Sequence, residues 1–179
     1  MQTKLKISFI GGGNMAHALI GGLADKLTPA ANIHVVDVNP DTLAKLAQDF
    51  GVSTAAQAGD TLCQSDVIVL AVKPQQMREV VLQCKPWLKP DTLVISIAAG
   101  ISLQSLSTWL GSPKQPYARV VRCMPNTPAL VRAGVTGMAA FEGLSKAETD
   151  IATNLLSAVG QVVWVDHDQA IDAVTALSG

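Results

Sequence analysis

The sequence is poor in charged residues, which fill 15% of its 179 positions, against roughly 25% in an average globular chain. Lys and Arg total 13 and Asp and Glu total 14, so the formal net charge is −1. Such a chain has neither the basic surface that binds a nucleic-acid backbone nor an acidic tail. We therefore expect no nucleic-acid partner. The shortage of charge also indicates that another structure covers part of the apolar surface.

Long hydrophobic runs are also lacking. Apolar residues reach 49%, which excludes a disordered chain, but a clean run such as 67–72 is ended by Lys73. A membrane span needs roughly 18 consecutive apolar residues, and the first residues lack the apolar core and cleavage site of a signal peptide. The sequence therefore predicts a cytoplasmic protein that does not contact a membrane.

Cysteines are few, and the candidate residues for metal binding are scattered. Cys63, Cys84 and Cys123 form no CxxC pair, and such a set in a core-rich chain is typical of reduced, buried thiols. The three histidines lack the spacing of metal ligands. Neither Gly-x-Ser-x-Gly nor the P-loop motif is present. We therefore expect no metal site, no serine-hydrolase chemistry and no P-loop nucleotide site.

Short β-branched runs alternate with helical patterns along the chain, which predicts βαβ units. The predicted strands cover residues 6–10, 33–37, a weak one near 52, 67–72, 92–97, 118–123, 135–141 and 161–165. The main predicted helices cover 14 to about 26, 40–50, 74–84, a segment capped by Ser102, 145–159, and a last segment capped by Asp168 with an apolar stripe of Ile171, Val174 and Leu177. The expected fold class is α/β, a Rossmann-type doubly wound and mostly parallel sheet of about eight strands with helices on both faces.

A glycine-rich loop follows the first predicted strand and opens the first predicted helix. In the pattern G-x-G-x-x-A, Gly11 makes the tight turn, Gly13 lets the backbone approach a pyrophosphate, and Ala16 lets the helix pack close to the strand. Backbone amides and the positive end of the helix dipole then face phosphate oxygens. Because the strand, loop and helix occur in the required order, the loop predicts dinucleotide binding.

The second predicted strand ends in Asp37, about where a carboxylate would bind an adenosine ribose. No Arg or Lys follows it before Lys45, and a carboxylate repels a 2′-phosphate. This local chemistry favours NADH. Alternatively, Asp37 and Asn39 only cap the helix that Pro40 opens, although they can share that role with ribose binding.

Other predicted strand ends gather at the same edge of the sheet, where ligands bind in open α/β folds. Lys73 follows a buried strand and either faces the cofactor, which we favour, or marks the solvent edge. The small residues of 96–100 allow the backbone to lie close to a flat ring. Asn126 and Thr127 lie between two prolines, in a stiff polar loop that is either part of the site or a structural turn.

Several of these segments together resemble the pyrroline-5-carboxylate reductases, the last enzymes of proline biosynthesis. The matching stretches are Phe9-Ile10-Gly11-Gly12-Gly13-Asn14-Met15-Ala16, Ala71-Val72-Lys73-Pro74-Gln75, Ser96-Ile97-Ala98-Ala99-Gly100-Ile101, Arg122-Cys123-Met124-Pro125-Asn126-Thr127-Pro128-Ala129 and the final Asp172-Ala173-Val174-Thr175-Ala176-Leu177-Ser178-Gly179. The resemblance spans essentially the whole chain, and the Ala-Val-Lys-Pro-Gln and Met-Pro-Asn-Thr-Pro segments are its most specific parts.

The resemblance implies NADPH- or NADH-dependent reduction of a cyclic imine carboxylate, 1-pyrroline-5-carboxylate, to L-proline. It places the cofactor on two groups of residues, with Asn126 and Thr127 on the substrate side. The phosphate group comprises Gly13, Asn14, Met15 and Ala16, and the nicotinamide group comprises Ala71, Val72, Lys73, Pro74, Ile97, Ala98 and Ala99. We assign no catalytic residue. Ala58 stands where many relatives have an asparagine on the adenosine side.

The resemblance also predicts that the chain is divided into two parts. Residues 1–166 would form the NAD(P)-binding domain, and 167–179 would be the linker and first helix of a helical dimerisation domain whose remainder is missing. The longer form would be a homodimer or a higher homo-oligomer. We expect this chain alone to bind the cofactor but to reduce the imine poorly.

Two other functions are compatible with the same motifs. A related Rossmann hydroxyacid or prephenate-type dehydrogenase would use the same cofactor loop, but it would need a Lys or His from the second domain. A non-catalytic dinucleotide-binding module would bind the nucleotide and form no product. Titration with cofactor, combined with a turnover assay, distinguishes these functions.

Overall fold

The computed structural model describes residues 4–171, in which eight strands form one sheet between two layers of helices. The strands are β1 (Ile7–Ile10), β2 (Ile33–Val36), β3 (Ser53–Ala55), β4 (Val67–Leu70), β5 (Leu93–Ser96), β6 (Val120–Pro125), β7 (Gly134–Ala140) and β8 (Gly160–Trp164). The helices are α1 (Asn14–Leu23), α2 (Pro40–Phe50), α3 (Pro74–Cys84), α4 (Leu103–Leu110) and α5 (Lys146–Leu156).

The strand order is β3-β2-β1-β4-β5-β6-β7-β8. All neighbouring strands run parallel except β6 and β7, which are antiparallel. The chain reverses its direction of winding between β1 and β4, and the carboxyl ends of these two strands therefore border a crevice, the usual ligand site of a doubly wound sheet. The predicted fold class is confirmed.

Side chains of the buried strands alternate between two hydrophobic cores. On β1, Ile7 and Phe9 pack with α1, α2 and α5, whereas Ile10 packs with α3 and α4. This alternation follows from the two-residue period of a strand, and both cores are needed because a parallel sheet is buried on both faces. The site-bearing loops at the strand ends thus rest on a sheet that is fixed from both sides.

Helix α2 has the bounds that the sequence predicts. Pro40 is its first residue, the side-chain oxygen of Asn39 accepts hydrogen bonds from the backbone N–H groups of Asp41 and Thr42, and Gly51 ends it with φ 69°. Proline at the first position, an asparagine cap and a left-handed glycine are all local signals. The predicted capping box of α5, between Ser145 and Glu148, is present as well.

Helix α1 is shorter than the predicted segment, which runs to about residue 26. It ends at Leu23 because Asp25 adopts a left-handed conformation with φ 59°, and the N–H of Asp25 donates to the oxygen of Thr28. Strand β4 likewise ends at Leu70 rather than at residue 72. The residues that follow β4 belong to the loop at the carboxyl edge of the sheet.

The expectation that Asp168 caps the last helix is wrong. Asp168 is itself helical, as are residues 169–171, and its carboxylate accepts hydrogen bonds from Arg122 Nη1 and from the backbone N–H of Leu103. Of the predicted apolar stripe, Ile171 is buried in the core beside α3 and α4. Val174 and Leu177 lie outside the described residues.

Two of the three cysteines are buried, as expected, but Cys63 is exposed. Burial raises the pKa of the Cys123 thiol well above its usual range, which keeps that thiol protonated. Within residues 4–171, no helix is both long and apolar enough to cross a bilayer. The same residues contain no group of His, Cys, Asp and Glu side chains that could hold a metal ion.

Candidate functional site

The turn after β1 is built on glycines that are closely surrounded by other parts of the chain. Gly11 has φ 98°, and its N–H donates to the oxygen of Val36 at 2.8 Å. A Cβ atom on Gly11 would lie 2.6 Å from the backbone oxygen of Ala71, and one on Gly12 would lie 2.8 Å from side-chain atoms of both Thr42 and Leu46. Only glycine at position 11 lets the loop after β4 approach the turn this closely, and a Cβ atom at position 12 would displace the side chains of Thr42 and Leu46.

Gly13 has a different environment, because a Cβ atom there would meet nothing within 4 Å. Gly13 is the N-cap of α1, it makes no side-chain capping bond, and the first turn contains no acidic residue. Asn14 is exposed, Met15 is partly buried and Ala16 is buried. The free amides at the start of α1 therefore face open space with positive dipole potential, which suits a phosphate group.

Asp37 joins the phosphate loop to the loop after β2. Its Oδ2 accepts a hydrogen bond from the N–H of Gly12 at 2.6 Å, and its Oδ1 accepts one from the N–H of Asn39 at 2.8 Å. Asn39 caps α2 through its side-chain oxygen, so the alternative expectation of helix capping holds for Asn39. Asp37 does not cap the helix directly. Each oxygen of Asp37 retains a lone pair that could accept from a ribose hydroxyl.

A cavity of about 490 Å³ opens beside Asp37 at the ends of β1 and β2. Gly11, Val72 and Ala58 also line it, and α3 closes it through residues that include Cys84. Burial raises the pKa of the Cys84 thiol to about 11, and this thiol therefore stays protonated and contributes apolar surface. The cavity brings together predicted site residues from three separate segments.

Of the predicted nicotinamide residues, Val72 lines this cavity, and the others lie outside its lining. The N–H of Ala71 donates to the oxygen of Ile10 at 2.8 Å, and the N–H of Ile97 donates to the oxygen of Leu70 at 3.1 Å. These bonds tie the loops after β4 and β5 to the strands beside them. Ala98 is buried and Ala99 is exposed, which leaves a low surface of small side chains at the sheet edge.

Lys73 is the N-cap of α3 and is exposed, with Pro74 as the first helical residue behind it. Its backbone oxygen accepts a hydrogen bond from the N–H of Gln76 at 3.0 Å, whereas its side chain makes no hydrogen bond or ion pair with any residue between 4 and 171. The geometry is compatible with either expected role, contact with a cofactor or solvent exposure.

Asn126 and Thr127 follow β6 at the same edge of the sheet. The side-chain oxygen of Asn126 accepts a hydrogen bond from the N–H of Val135 at 2.8 Å, and Thr127 is exposed at the start of a 3-10 turn. The bond to Val135 fixes the Asn126 amide. Asn126 therefore has at least the structural role in the turn that the sequence offered as the alternative to a role in the site. Its Nδ2 group remains able to donate.

The sequence reasoning missed Arg122, which is only 3% exposed. Arg122 lies on β6 opposite Ser96 of β5, and its Nη1 is 2.8 Å from Asp168 Oδ1. A charged residue inside a strand was the available signal, since buried arginine needs an anionic partner. The pair fastens the helical residues after β8 to β6, the strand whose loop carries Asn126 and Thr127 of the predicted substrate side.

A family model described as "NADP oxidoreductase coenzyme F420-dependent" matches residues 6–100. The chain is 48% identical to the pyrroline-5-carboxylate reductase of Pseudomonas aeruginosa over 174 residues, which are 97% of this chain and 62% of that protein. It is 44% identical to the Haemophilus influenzae pyrroline-5-carboxylate reductase over 182 residues, covering all of this chain and 64% of that protein. The chain thus spans under two thirds of the length of these relatives.

Solved structures agree with the fold. A pyrroline-5-carboxylate reductase from Coxiella burnetii superposes with a TM-score of 0.91 at 38% identity, covering 99% of this chain and 64% of that one. The prephenate dehydrogenase of Aquifex aeolicus superposes with a TM-score of 0.76 at 15% identity, covering 96% of this chain and 63% of that one. The second likeness concerns the fold alone.

Proposed function

Because this chain belongs to the family described as NADP oxidoreductase, coenzyme F420-dependent, we propose that its carboxyl sheet edge binds NADPH or NADH. The observation that carries the proposal is the open space at Gly13, in front of the uncapped amides of α1. The residues at this edge fit a dinucleotide. The cavity beside Asp37 accepts the adenosine, and residues 13–16 hold the phosphates. The nicotinamide then lies towards Ala71–Pro74 and Ile97–Ala99, where Ala71, Ala98 and Ala99 have small side chains.

Asp37 and Asn39 belong to the adenosine side of this proposed site. Two backbone N–H groups already bind the Asp37 carboxylate, one on each oxygen, and these bonds partly compensate its charge. The repulsion of a 2′-phosphate by Asp37 is therefore weaker than the sequence alone indicates. Both NADH and NADPH remain candidate cofactors.

The proposed reaction is the reduction of 1-pyrroline-5-carboxylate to L-proline, the last step of proline biosynthesis. It is supported by the identity to relatives named pyrroline-5-carboxylate reductase. When bound, the reduced nicotinamide supplies a hydride for the carbon of the C=N bond. A protonated imine is already electrophilic, so the protein contributes mainly by aligning the two reactants. We assign the proton donor to no residue of this chain.

On the substrate side we place Asn126 and Thr127. With its oxygen held by the N–H of Val135, Asn126 presents amide N–H donors, and the exposed Thr127 presents a hydroxyl. Both groups can donate to a carboxylate, the anionic group of the cyclic imine. Their role is to orient the ring against the nicotinamide.

We further propose that residues 1–166 are the cofactor-binding domain and that 167–179 lead into a helical dimerisation domain, as expected from the sequence. Across this boundary, the ion pair of Arg122 and Asp168 holds the start of the second part against the first. The complete protein would act as a homodimer or higher homo-oligomer. Its free thiols suit a reducing compartment such as the cytoplasm.

The test is fluorescence titration of the chain with NADH and with NADPH, followed by a turnover assay with 1-pyrroline-5-carboxylate in the same tube. We expect both dinucleotides to bind. We expect turnover far below that of the Pseudomonas aeruginosa relative under the same conditions, because these 179 residues match only 62% of that protein.

The outcomes separate the competing functions. Failure of both dinucleotides to bind would overturn the proposal entirely. Product from prephenate or a 2-hydroxy acid with the oxidised cofactor, and none from the imine, would replace the reductase with a related dehydrogenase. Tight nucleotide binding without product from any of these substrates would indicate a non-catalytic module.

A further inference from the structure

A second groove, of about 340 Å³, lies on the other side of the phosphate loop from the adenosine cavity. Gly12, Gly13 and Asn14 form its end at the start of α1, and His17 continues it along that helix. Lys45 of α2 lines the same groove. A cation that is 32 positions away from Gly13 in sequence is therefore beside the loop that is proposed to hold the cofactor phosphates.

The packing of α2 explains why Lys45 reaches this position. Thr42 and Leu46 approach Gly12 so closely that a Cβ atom there would lie 2.8 Å from each side chain. Lys45 is the residue before Leu46 and three after Thr42, so it lies on the neighbouring face of the same helix turn. Side chains in helices point back towards the N-terminus, which directs the long Lys45 side chain towards the loop rather than away from it.

Lys45 also has no competing anion in the part of the chain between residues 4 and 171. Asp41 and Asp49 lie one helical turn before and after it, the usual spacing for ion pairs, yet neither carboxylate is within 4.0 Å of the lysine. Asp49 instead pairs with His17, at 2.9 Å between Oδ2 and Nε2. The Lys45 ammonium is therefore available to an anionic ligand.

We propose that Lys45 binds the pyrophosphate of the dinucleotide and completes the phosphate site formed by the amides of α1. This inference rests on the proposed function, because it needs a bound dinucleotide. We assign the pyrophosphate rather than the 2′-phosphate of NADPH because Lys45 shares its groove with Gly13 and Asn14. The expected place of the ribose, beside Asp37 and Val38, is in the other cavity.

The experiment compares Lys45→Gln with the wild-type chain in titrations with NADH and with NADPH at low and high salt. Both affinities should fall by a similar factor of about ten, since a charge-assisted hydrogen bond to phosphate is lost. The salt dependence of binding should also become weaker, because one charge pair fewer is screened. Lys45→Arg should restore most of the affinity.

Lys114→Gln is the matched control. Lys114 is an exposed lysine in the loop before β6, at the opposite edge of the sheet. Its substitution therefore changes the net charge by the same amount as Lys45→Gln but leaves the groove unchanged. The affinities of the Lys114→Gln variant for both cofactors should equal those of the wild type. A loss confined to NADPH in Lys45→Gln would overturn the assignment in favour of the 2′-phosphate, and unchanged affinities for both cofactors would overturn the role of Lys45. Absence of binding by the wild type would instead overturn the proposed function, and this inference with it.

Discussion

Gly11 and Gly13 are two residues apart, yet a methyl group would have opposite consequences at the two positions. At Gly11 it would be strained by a φ of 98° and would lie 2.6 Å from the backbone oxygen of Ala71. At Gly13 the backbone has φ −65°, which alanine adopts freely, and nothing lies within 4 Å. The first glycine is needed by the fold, and the second is needed only if a ligand comes close.

We therefore predict that Gly11→Ala reduces mainly the stability of the fold, whereas Gly13→Ala reduces mainly the affinity for the cofactor. Gly11→Ala should lower the free energy of unfolding by about 3 kcal/mol, from backbone strain and overpacking. Gly13→Ala should leave it within about 1 kcal/mol of the wild type, while the affinities for NADH and NADPH fall about tenfold or more. Urea unfolding and fluorescence titration measure the two effects. A Gly13→Ala chain that binds both cofactors normally would contradict the placement of the phosphates.

At the scale of elements, the sequence predicts the features that depend on local signals and misses those that depend on long-range contacts. The bounds of α2 follow from Pro40 and Gly51, both next to the helix itself. The early end of α1 could not be predicted, because the left-handed conformation of Asp25 is unusual for a residue other than glycine. The approach of Lys45 to the phosphate loop depends on how α2 packs on Gly12, which a pattern along the chain does not contain.

The role of Asp168 was missed for the same reason, since Arg122 is 46 residues away in sequence. The carboxylate joins three elements: its own helical segment, β6 through Arg122 and the start of α4 through Leu103. A helix-cap pattern at the sequence level shows only that the residue is an acceptor. Which donors it meets is decided by the folded sheet.

We predict that Asp168→Asn lowers the free energy of unfolding by about 2–3 kcal/mol, because it removes the negative charge next to a buried guanidinium. Asp150→Asn is the control: Asp150 pairs with Lys146 at 2.7 Å, but the side chains are 56% and 86% exposed. Removing such a surface pair should cost less than about 1 kcal/mol. Urea unfolding of the wild type and the two variants measures the two losses of unfolding free energy. Equal losses in the two variants would show that the Arg122 pair does not anchor the segment.

On the scale of the whole molecule, the proposed cofactor site uses the ends of strands from both halves of the sheet. The turns after β1 and β2 belong to one half, and the turns after β4 and β5 belong to the other. The sheet is continuous, and each face has its own core. If one half of the sheet opened locally, a ligand bound across the crevice would lose its contacts to the other half as well. Binding should therefore stabilise both halves together.

We predict that NADPH or NADH at about 100 times its dissociation constant stabilises the chain by about 2.7 kcal/mol. For a chain of this size, that corresponds to a rise in Tm of about 5–10 °C. The rise should be the same in far-ultraviolet circular dichroism, which reports on both halves, and in tryptophan fluorescence, which reports on the half that contains Trp109 of α4 and Trp164 of β8. Gly13→Ala at the same cofactor concentration is the control and should show a much smaller rise. Two separate transitions, with only one shifted by the cofactor, would contradict a site that spans both halves of the sheet.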